Sequence, residues 1–124
     1  MTTPQTEDSP ITLLQEMFDA WNRHDIDGIL RCFHPDGVLI TGEGTRFQGH
    51  DAIRQGVEAF FARFPGAQWS EEVHFVSGDR AVTEWIFTAD GSGGDRVEMI
   101  GCDVFTLREG KILVKNAYRK PREG

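Results

Sequence analysis

The spacing of apolar residues changes once along this chain, at about residue 67, and this change predicts a helical part followed by a sheet. Before that point, apolar residues recur at helical spacing in three stretches, Leu13 to Trp21, Ile26 to Phe33 and Ile53 to Phe64. The pair Ser9-Pro10 is typical of a helix start, because a capping residue is followed by proline. A brief apolar run at 38–40 predicts one short strand between the second and third helices, followed by a glycine-containing loop.

After residue 67, the pattern is that of strands joined by tight turns. Two dipeptides, Gly78-Asp79 and Glu109-Gly110, are typical of two-residue hairpin turns. Together with the glycine-rich turn GSGG, they predict strands at 67–77, 80–89, 96–108 and 111–119. Helices followed by such an antiparallel meander predict an α+β fold, in which the helices pack on one face of a curled sheet.

The last hairpin predicts which side chains share a face of the sheet. With Glu109-Gly110 as the turn, Asp103 faces Asn116, and side chains alternate between the two faces. The face of Asp103 then also carries Met99, Phe105, Leu107, Ile112, Val114, Asn116 and Tyr118. The opposite face is apolar as well. Since the helices cover one face, we expect a second copy of the chain to cover the other and form a homodimer.

Length and charge limit the class of protein. The 124 residues predict one domain over 1–124, with frayed tails at 1–8 and 120–124. The net charge of -7 argues against nucleic acid and anionic membranes as partners. The polar opening MTTPQTEDSP lacks the pattern of a signal peptide, and no apolar run reaches membrane-spanning length, so we expect a cytoplasmic protein.

The motifs that hold metals and nucleotides do not occur. The four histidines are scattered without an HxH or HExxH pattern, and Cys32 and Cys102 form no CxxC pair. The stretch GEGTRFQG matches neither GxGxxG nor a P-loop. The sequence therefore predicts no metal and no nucleotide cofactor, and two reduced thiols.

Three stretches carry a resemblance to a known superfamily. They are AWNRHDIDGILRCFHPDGVL at 20–39, GHDAIRQGVEAFF at 49–61 and GCDVFTLREGKI at 101–112. The chain resembles the NTF2-like superfamily, in particular its SnoaL-like and ketosteroid-isomerase-like proteins. The resemblance implies a cone-shaped, cystatin-like fold with three N-terminal helices on a curled antiparallel sheet, and one small-molecule pocket.

The resemblance also places individual catalytic groups. The hairpin aspartate of ketosteroid isomerases falls on Asp103, their oxyanion-hole tyrosine on Met17, and their general-base aspartate on or near Thr41. Because two of these three groups are replaced, isomerisation of the standard steroid kind is not expected. SnoaL-type cyclases match better, since they use an acid/base aspartate at the hairpin position and no metal. An epoxide hydrolase would carry arginine where this chain has Gly101.

Asp103 is the strongest candidate for catalysis. We expect it among apolar side chains, where burial penalises the carboxylate and raises its pKa, which suits proton transfer. The alternative is a structural aspartate that hydrogen-bonds to Asn116 or to the backbone. Asn116 and Tyr118 could hold a substrate oxygen; equally, Asn116 could satisfy Asp103 and Tyr118 could pack at the rim.

The remaining candidates would line the pocket. With Gly78-Asp79 as the turn, His74 pairs with Thr83 and shares a face with Trp85. His74 is either an acid/base partner or a half-exposed strand histidine, and Trp85 is either a core residue or a pocket wall. The other predicted ligand-binding residues are Met17, Met99 and Phe105.

These observations favour a cofactor-independent enzyme for an apolar, carbonyl-bearing small molecule. Asp103 would transfer the proton in an isomerisation, a cyclisation or a dehydration. The alternative is a ligand-binding or dimerisation module of the same fold without catalysis, which the replaced tyrosine and base also allow.

Overall fold

The computed structural model describes residues 9–90 and 94–122, and these residues form three helices and one six-stranded sheet. The elements are α1 (Pro10–Asn22), α2 (Ile26–Cys32), β1 (Phe33–Ile40), β2 (Arg46–Gln48), α3 (His50–Arg63), β3 (Gln68–Ser77), β4 (Arg80–Asp90), β5 (Arg96–Arg108) and β6 (Lys111–Pro121). The predicted α+β class, with three N-terminal helices on a sheet, is confirmed. The predicted tail at 1–8 and most of the GSGG turn lie outside the described residues, and β6 continues to Pro121.

Capping residues begin the first two helices, as predicted for Ser9. The Ser9 side chain accepts a hydrogen bond from the Ile11 amide at 3.2 Å, and Asp25 accepts one from the Gly28 amide at 3.0 Å. No helix in the described part of the chain combines the length and the apolar character that a membrane span requires.

The sheet has the order β2-β1-β6-β5-β4-β3. Strands β3 to β6 form the predicted antiparallel meander, but β1 runs parallel to β6, so the sheet is mixed. The expectation of a wholly antiparallel sheet was wrong for this pair because α3 and four strands separate β1 from β6 along the chain, so no local turn defines their direction. Strand β2 lies within the predicted glycine loop and pairs with β1.

A bulge in β6 corrects the predicted register of the last hairpin. Leu107 pairs with Ile112 as expected, but Thr106 then pairs with Val114. One residue of β6 is therefore left unpaired, and every later residue is shifted by one position. Asp103 faces Ala117 and not Asn116, so the predicted pairing was wrong.

The shift exchanges the side chains that β6 sends to the two faces of the sheet. We call the face that carries Asp103 and meets the helices the inner face. Lys115 lies on it and is 6% exposed, opposite the fully buried Phe105. Asn116 and Tyr118 lie on the other, outer face, where Tyr118 is 54% exposed.

An aromatic cluster fills the space between α1, α3 and the inner face. Neighbouring rings lie at centroid distances between 5.0 and 6.1 Å, mostly tilted or edge to face. Its members are Trp21, Phe60, Phe61, Phe64, Trp69 and Phe87. All of them except Phe61 also line a cavity.

Gly101 leaves space for the Trp85 indole on the inner face. It pairs with Trp85, and a Cβ atom at Gly101 would come within 2.8 Å of Trp85 Cη2 and would also overlap the carbonyl oxygen of Tyr118. Because the second contact is with backbone, the neighbour has little room to move. Glycine at this position therefore sets the position of the indole ring.

We predict that Gly101→Ala lowers the free energy of unfolding by about 2 kcal/mol, because the added methyl overpacks the sheet. Urea denaturation followed by circular dichroism measures the change. The matched control is Gly66→Ala, whose Cβ would meet Asp90 Oδ2 at an ordinary 3.4 Å, and its effect should stay within about 0.5 kcal/mol. Equal effects of the two substitutions would contradict the packing argument.

Candidate functional site

A cavity of about 210 Å³ lies between α1, α3 and the inner face of the sheet. Its buried end contains Asp103 and Lys115, and its exposed end is bordered by the loop 41–45 between β1 and β2. Most of the wall is aromatic, and the rings that line it belong to Trp21, Phe47, Phe60, Phe64, Trp69, Trp85 and Phe87. Such a wall favours a flat, apolar ligand.

Asp103 is completely buried and is held by two donors. Trp85 Nε1 donates a hydrogen bond to Asp103 Oδ2 at 3.0 Å, and Lys115 Nζ donates one to Oδ1 at 3.3 Å. Both donors come from neighbouring strands, because β5 lies between β4 and β6. The carboxyl group is thereby fixed in position while it still lines the cavity.

Burial dominates the ionisation of Asp103. Loss of water raises the pKa of this carboxyl above its ordinary value. The charge of Lys115 and the hydrogen bonds from Trp85 and Lys115 oppose that effect without cancelling it. Asp103 therefore takes up a proton more readily than an exposed aspartate does.

Lys115 is the second charged group at the buried end, and sequence analysis missed it. Its Nζ lies 4.6 Å from the centroid of the Trp21 ring, and its side chain is 7% exposed. Among the described residues, Asp103 is its one hydrogen-bond acceptor, although an ammonium has three N–H groups. Lys115 can therefore donate to a ligand oxygen in the cavity. The available signal was a lysine within an apolar strand. It lies next in the chain to Asn116, which the predicted register placed opposite Asp103.

The structure brings together some of the predicted ligand-binding residues. Trp85 and Met99 line the same cavity as Asp103. Met17 and Phe105 are fully buried in the core and do not line this cavity. The Met17 sulfur instead lies 2.9 Å from Trp21 Nε1.

Three other predicted residues lie elsewhere. His74 Nδ1 is 2.8 Å from Thr83 Oγ1, and its ring packs beside Phe18 outside the lining of the cavity. Burial lowers the pKa of His74. Asn116 and Tyr118 are on the outer face, where Asn116 Nδ2 donates to the Tyr118 hydroxyl at 3.0 Å. The bulge in β6 explains their displacement from Asp103.

The exposed end of the cavity carries three charged side chains that sequence analysis did not single out. Glu43 Oε2 lies 3.2 Å from Arg63 Nη1 and 3.4 Å from Arg119 Nη2. Beside them, Thr41 Oγ1 accepts hydrogen bonds from the amides of Glu43 and Thr45. Within residues 9–90 and 94–122, no three His, Cys, Asp or Glu side chains form a cluster that could hold a metal ion.

The comparisons with known proteins agree with this fold. The model of the SnoaL-like domain family matches residues 14–114, and the chain belongs to that family. No protein of curated function matches the sequence.

Several solved structures share the fold at low sequence identity. A candidate polyketide cyclase from Xanthomonas campestris pv. campestris is 22% identical, with a TM-score of 0.81 over 87% of each chain. A candidate SnoaL-like polyketide cyclase from Jannaschia sp. CCS1 is 19% identical, with a TM-score of 0.82 over 97% of this chain and 90% of the other. TerC, co-crystallized with polyporic acid, is 20% identical, with a TM-score of 0.81 over 89% of this chain and 90% of the other.

We predict that the pKa of Asp103 lies above the ordinary aspartate value of 3.8 and that Lys115→Met raises it further, because the opposing positive charge is removed. A carboxyl-resolved NMR titration, with Asp103→Asn to assign the signal, measures both values. A pKa at or below the ordinary value would mean that the ion pair outweighs burial.

The same shift has a consequence for stability. Since the pKa of Asp103 is raised in the folded state, its contribution is fully present below the unfolded pKa of about 4 and is lost as the pH rises through the folded pKa. The stability of the wild type relative to Asp103→Asn should therefore fall across this window. Urea titrations of both proteins at each pH measure it, and a relative stability that rises with pH is the contrary result.

Proposed function

We propose that this protein is a cofactor-independent enzyme that moves protons on an apolar, carbonyl-bearing small molecule, with Asp103 as acid and base. The observation that carries the proposal is a fully buried carboxyl of raised pKa in the wall of an aromatic cavity. Membership of the SnoaL-like family, and the co-crystallization of the structurally similar TerC with polyporic acid, support a small-molecule ligand.

The first step uses both charged groups at the buried end. The aromatic walls hold the ligand with its carbonyl oxygen toward Lys115 Nζ. The Asp103 carboxylate removes a proton from the carbon beside the carbonyl, and the C–H electron pair forms a carbon–carbon double bond while the carbonyl π electrons move to oxygen. The ammonium of Lys115 stabilises the resulting enolate oxygen, an interaction that water would weaken if it filled the cavity.

The enolate then has three fates that conserve atoms and charge. Return of the proton from Asp103 to a different carbon of a conjugated enolate is an isomerisation. Attack of the enolate carbon on a second carbonyl forms a ring, and the new alkoxide takes the proton from Asp103. Loss of a hydroxyl from the β-carbon, protonated by Asp103 as it leaves, is a dehydration that releases water.

The second candidate is a binding protein without catalysis. Both oxygens of Asp103 already accept hydrogen bonds from Trp85 and Lys115, and Met17 and Thr41 replace two catalytic groups of the ketosteroid isomerases. In such a protein, Asp103 would orient Lys115, which would hold a ligand oxygen while no proton moves.

Exchange of protons for deuterium separates these two functions without knowledge of the natural substrate. In D2O, a panel of aryl methyl ketones and aryl 1,3-diketones is incubated with the protein, and NMR follows loss of the protons beside the carbonyl. We expect the wild type to accelerate exchange and Asp103→Asn to reduce the acceleration by about 10²- to 10⁴-fold, the usual contribution of a general base.

The control is Asp27→Asn, since that carboxyl is exposed and pairs with Arg54 away from the cavity. It should leave exchange unchanged, and tryptophan fluorescence should show that Asp103→Asn still binds the ketone. Ketones that bind to the wild type without faster exchange would favour the binding protein.

We also propose that two copies pair through the outer face of the sheet. Val73, Phe75 and Tyr118 lie on this face and are 48%, 54% and 54% exposed. Val73 and Phe75 lie on the edge strand β3 and Tyr118 lies on β6, with β5 and β4 between them. Large exposed apolar side chains on one face of a sheet are of the kind that a partner covers.

We predict a mass twice the 14.0 kDa of one chain in light scattering at micromolar concentration. Phe75→Lys should shift the protein toward the monomer, because a buried unpaired ammonium opposes association, whereas Asp27→Asn should not. A monomeric wild type at the same concentration would refute the dimer.

A further inference from the structure

Positively charged groups outnumber negatively charged groups at the exposed end of the cavity. Two guanidinium groups, from Arg63 and Arg119, share the single carboxylate of Glu43. At the buried end, Asp103 and Lys115 pair with each other. The excess positive charge of the cavity therefore lies at its exposed end, in a protein whose net charge is -7.

Arg119 is held in place more firmly than its exposed neighbours. Its side chain is 24% exposed, compared with 61% for Arg63. A Cβ atom at Gly42 would lie 2.8 Å from the guanidinium carbon of Arg119, so the absence of a side chain there lets the guanidinium lie against the loop backbone. The loop itself is closed by hydrogen bonds between Thr41 and Thr45. A guanidinium fixed in this way loses little conformational entropy when it binds a ligand.

Strand β6 contributes side chains to both ends of the cavity. Lys115, Ala117 and Arg119 alternate along β6, and all three line the cavity. Four residues of extended strand separate the Cα atoms of Lys115 and Arg119 by about 13 Å. The hydrogen-bond donor at the buried end and the cation at the exposed end are thus carried by one strand, at opposite ends of the cavity.

We propose that the ligands of this protein are flat apolar acids, with a carbonyl oxygen at Lys115 and a carboxylate at Arg119 and Arg63. The proposal rests on the proposed function for the carbonyl end and adds the acidic end. A guanidinium recognises a carboxylate through two parallel hydrogen bonds. The incoming carboxylate shares the two arginines with Glu43 or displaces it from Arg119.

A matched pair of probes tests the acidic end. 6-Acetyl-2-naphthoate carries a ketone and a carboxylate at opposite ends of an aromatic frame, and its methyl ester keeps the shape without the charge. Tryptophan fluorescence reports binding directly, because all three tryptophans, Trp21, Trp69 and Trp85, line the cavity. We expect the acid to bind at least about tenfold more tightly than the ester at neutral pH, as for a charge-assisted hydrogen bond.

Two substitutions assign the preference to the exposed end. Arg119→Gln should weaken binding of the acid until the acid and the ester bind about equally, as expected for an uncharged site. The affinity for the ester should change little. Glu43→Gln should raise the affinity for the acid several-fold, because it removes a competing carboxylate. The control Arg54→Gln alters an exposed ion pair outside the cavity and should leave both affinities unchanged.

The proposal is overturned if the ester binds as tightly as the acid, if Arg119→Gln keeps the preference, or if Glu43→Gln weakens binding of the acid. These outcomes are independent of catalysis. If the acid is preferred but neither probe exchanges its protons beside the ketone, the proposed enzyme is wrong and the recognition of acids stands. If exchange occurs equally for both probes without any preference in binding, the enzyme stands and the recognition of acids is wrong.

Discussion

Asp103 and Lys115 form an ion pair inside an apolar core, and the surrounding structure has to compensate for the water that both groups lose. Removing two charges from water costs more than their attraction returns unless further contacts are supplied. Here Trp85 donates to the free carboxylate oxygen, and the Trp21 ring lies beside the ammonium. Gly101 makes room for the Trp85 indole. The cavity leaves the rest of the ammonium accessible to a ligand, so the same arrangement that limits the cost of the pair also defines where a polar group can bind.

Local signals in the sequence were sufficient for most of the fold. The turn at Gly78-Asp79 set the register of the middle hairpin, and His74 pairs with Thr83 as predicted. The pairing of β1 with β6 could not be predicted in this way, because it joins residues far apart in the chain with no turn between them. The site was less predictable for a related reason. Asp103 lies on β5, which is regular in the last hairpin, whereas the bulge lies in β6. The bulge contains no glycine or proline from which it could have been predicted. A shift of one residue exchanged Asn116 for Lys115 on the inner face.

The two ends of the cavity differ in how strongly the fold constrains them. The buried end is formed by neighbouring strands β4, β5 and β6, whose backbone hydrogen bonds fix the side chains within a rigid frame. The exposed end combines a short loop, the end of α3 and the end of β6. Amino-acid substitutions are tolerated more readily in loops and at the ends of helices and strands than within paired strands. The chemistry proposed for the buried end and the ligand choice proposed for the exposed end can therefore vary separately on one scaffold.

The parallel pairing of β1 with β6 also bears on the order in which the molecule assembles. Strand β6 forms its hairpin with β5 through a two-residue turn, but it meets β1 only after the chain has closed a loop that contains α3 and the whole meander. Contacts between distant parts of a chain form later and more slowly than hairpins, because the entropy of loop closure opposes them. The meander can bring Asp103 and Lys115 together while both are still in contact with water. Their dehydration requires α1, whose Trp21 ring lies beside the ammonium, to pack on the inner face. It therefore belongs to the step that joins the helices to the meander, and substitutions in this pair are expected to alter the rate of unfolding more than the rate of folding.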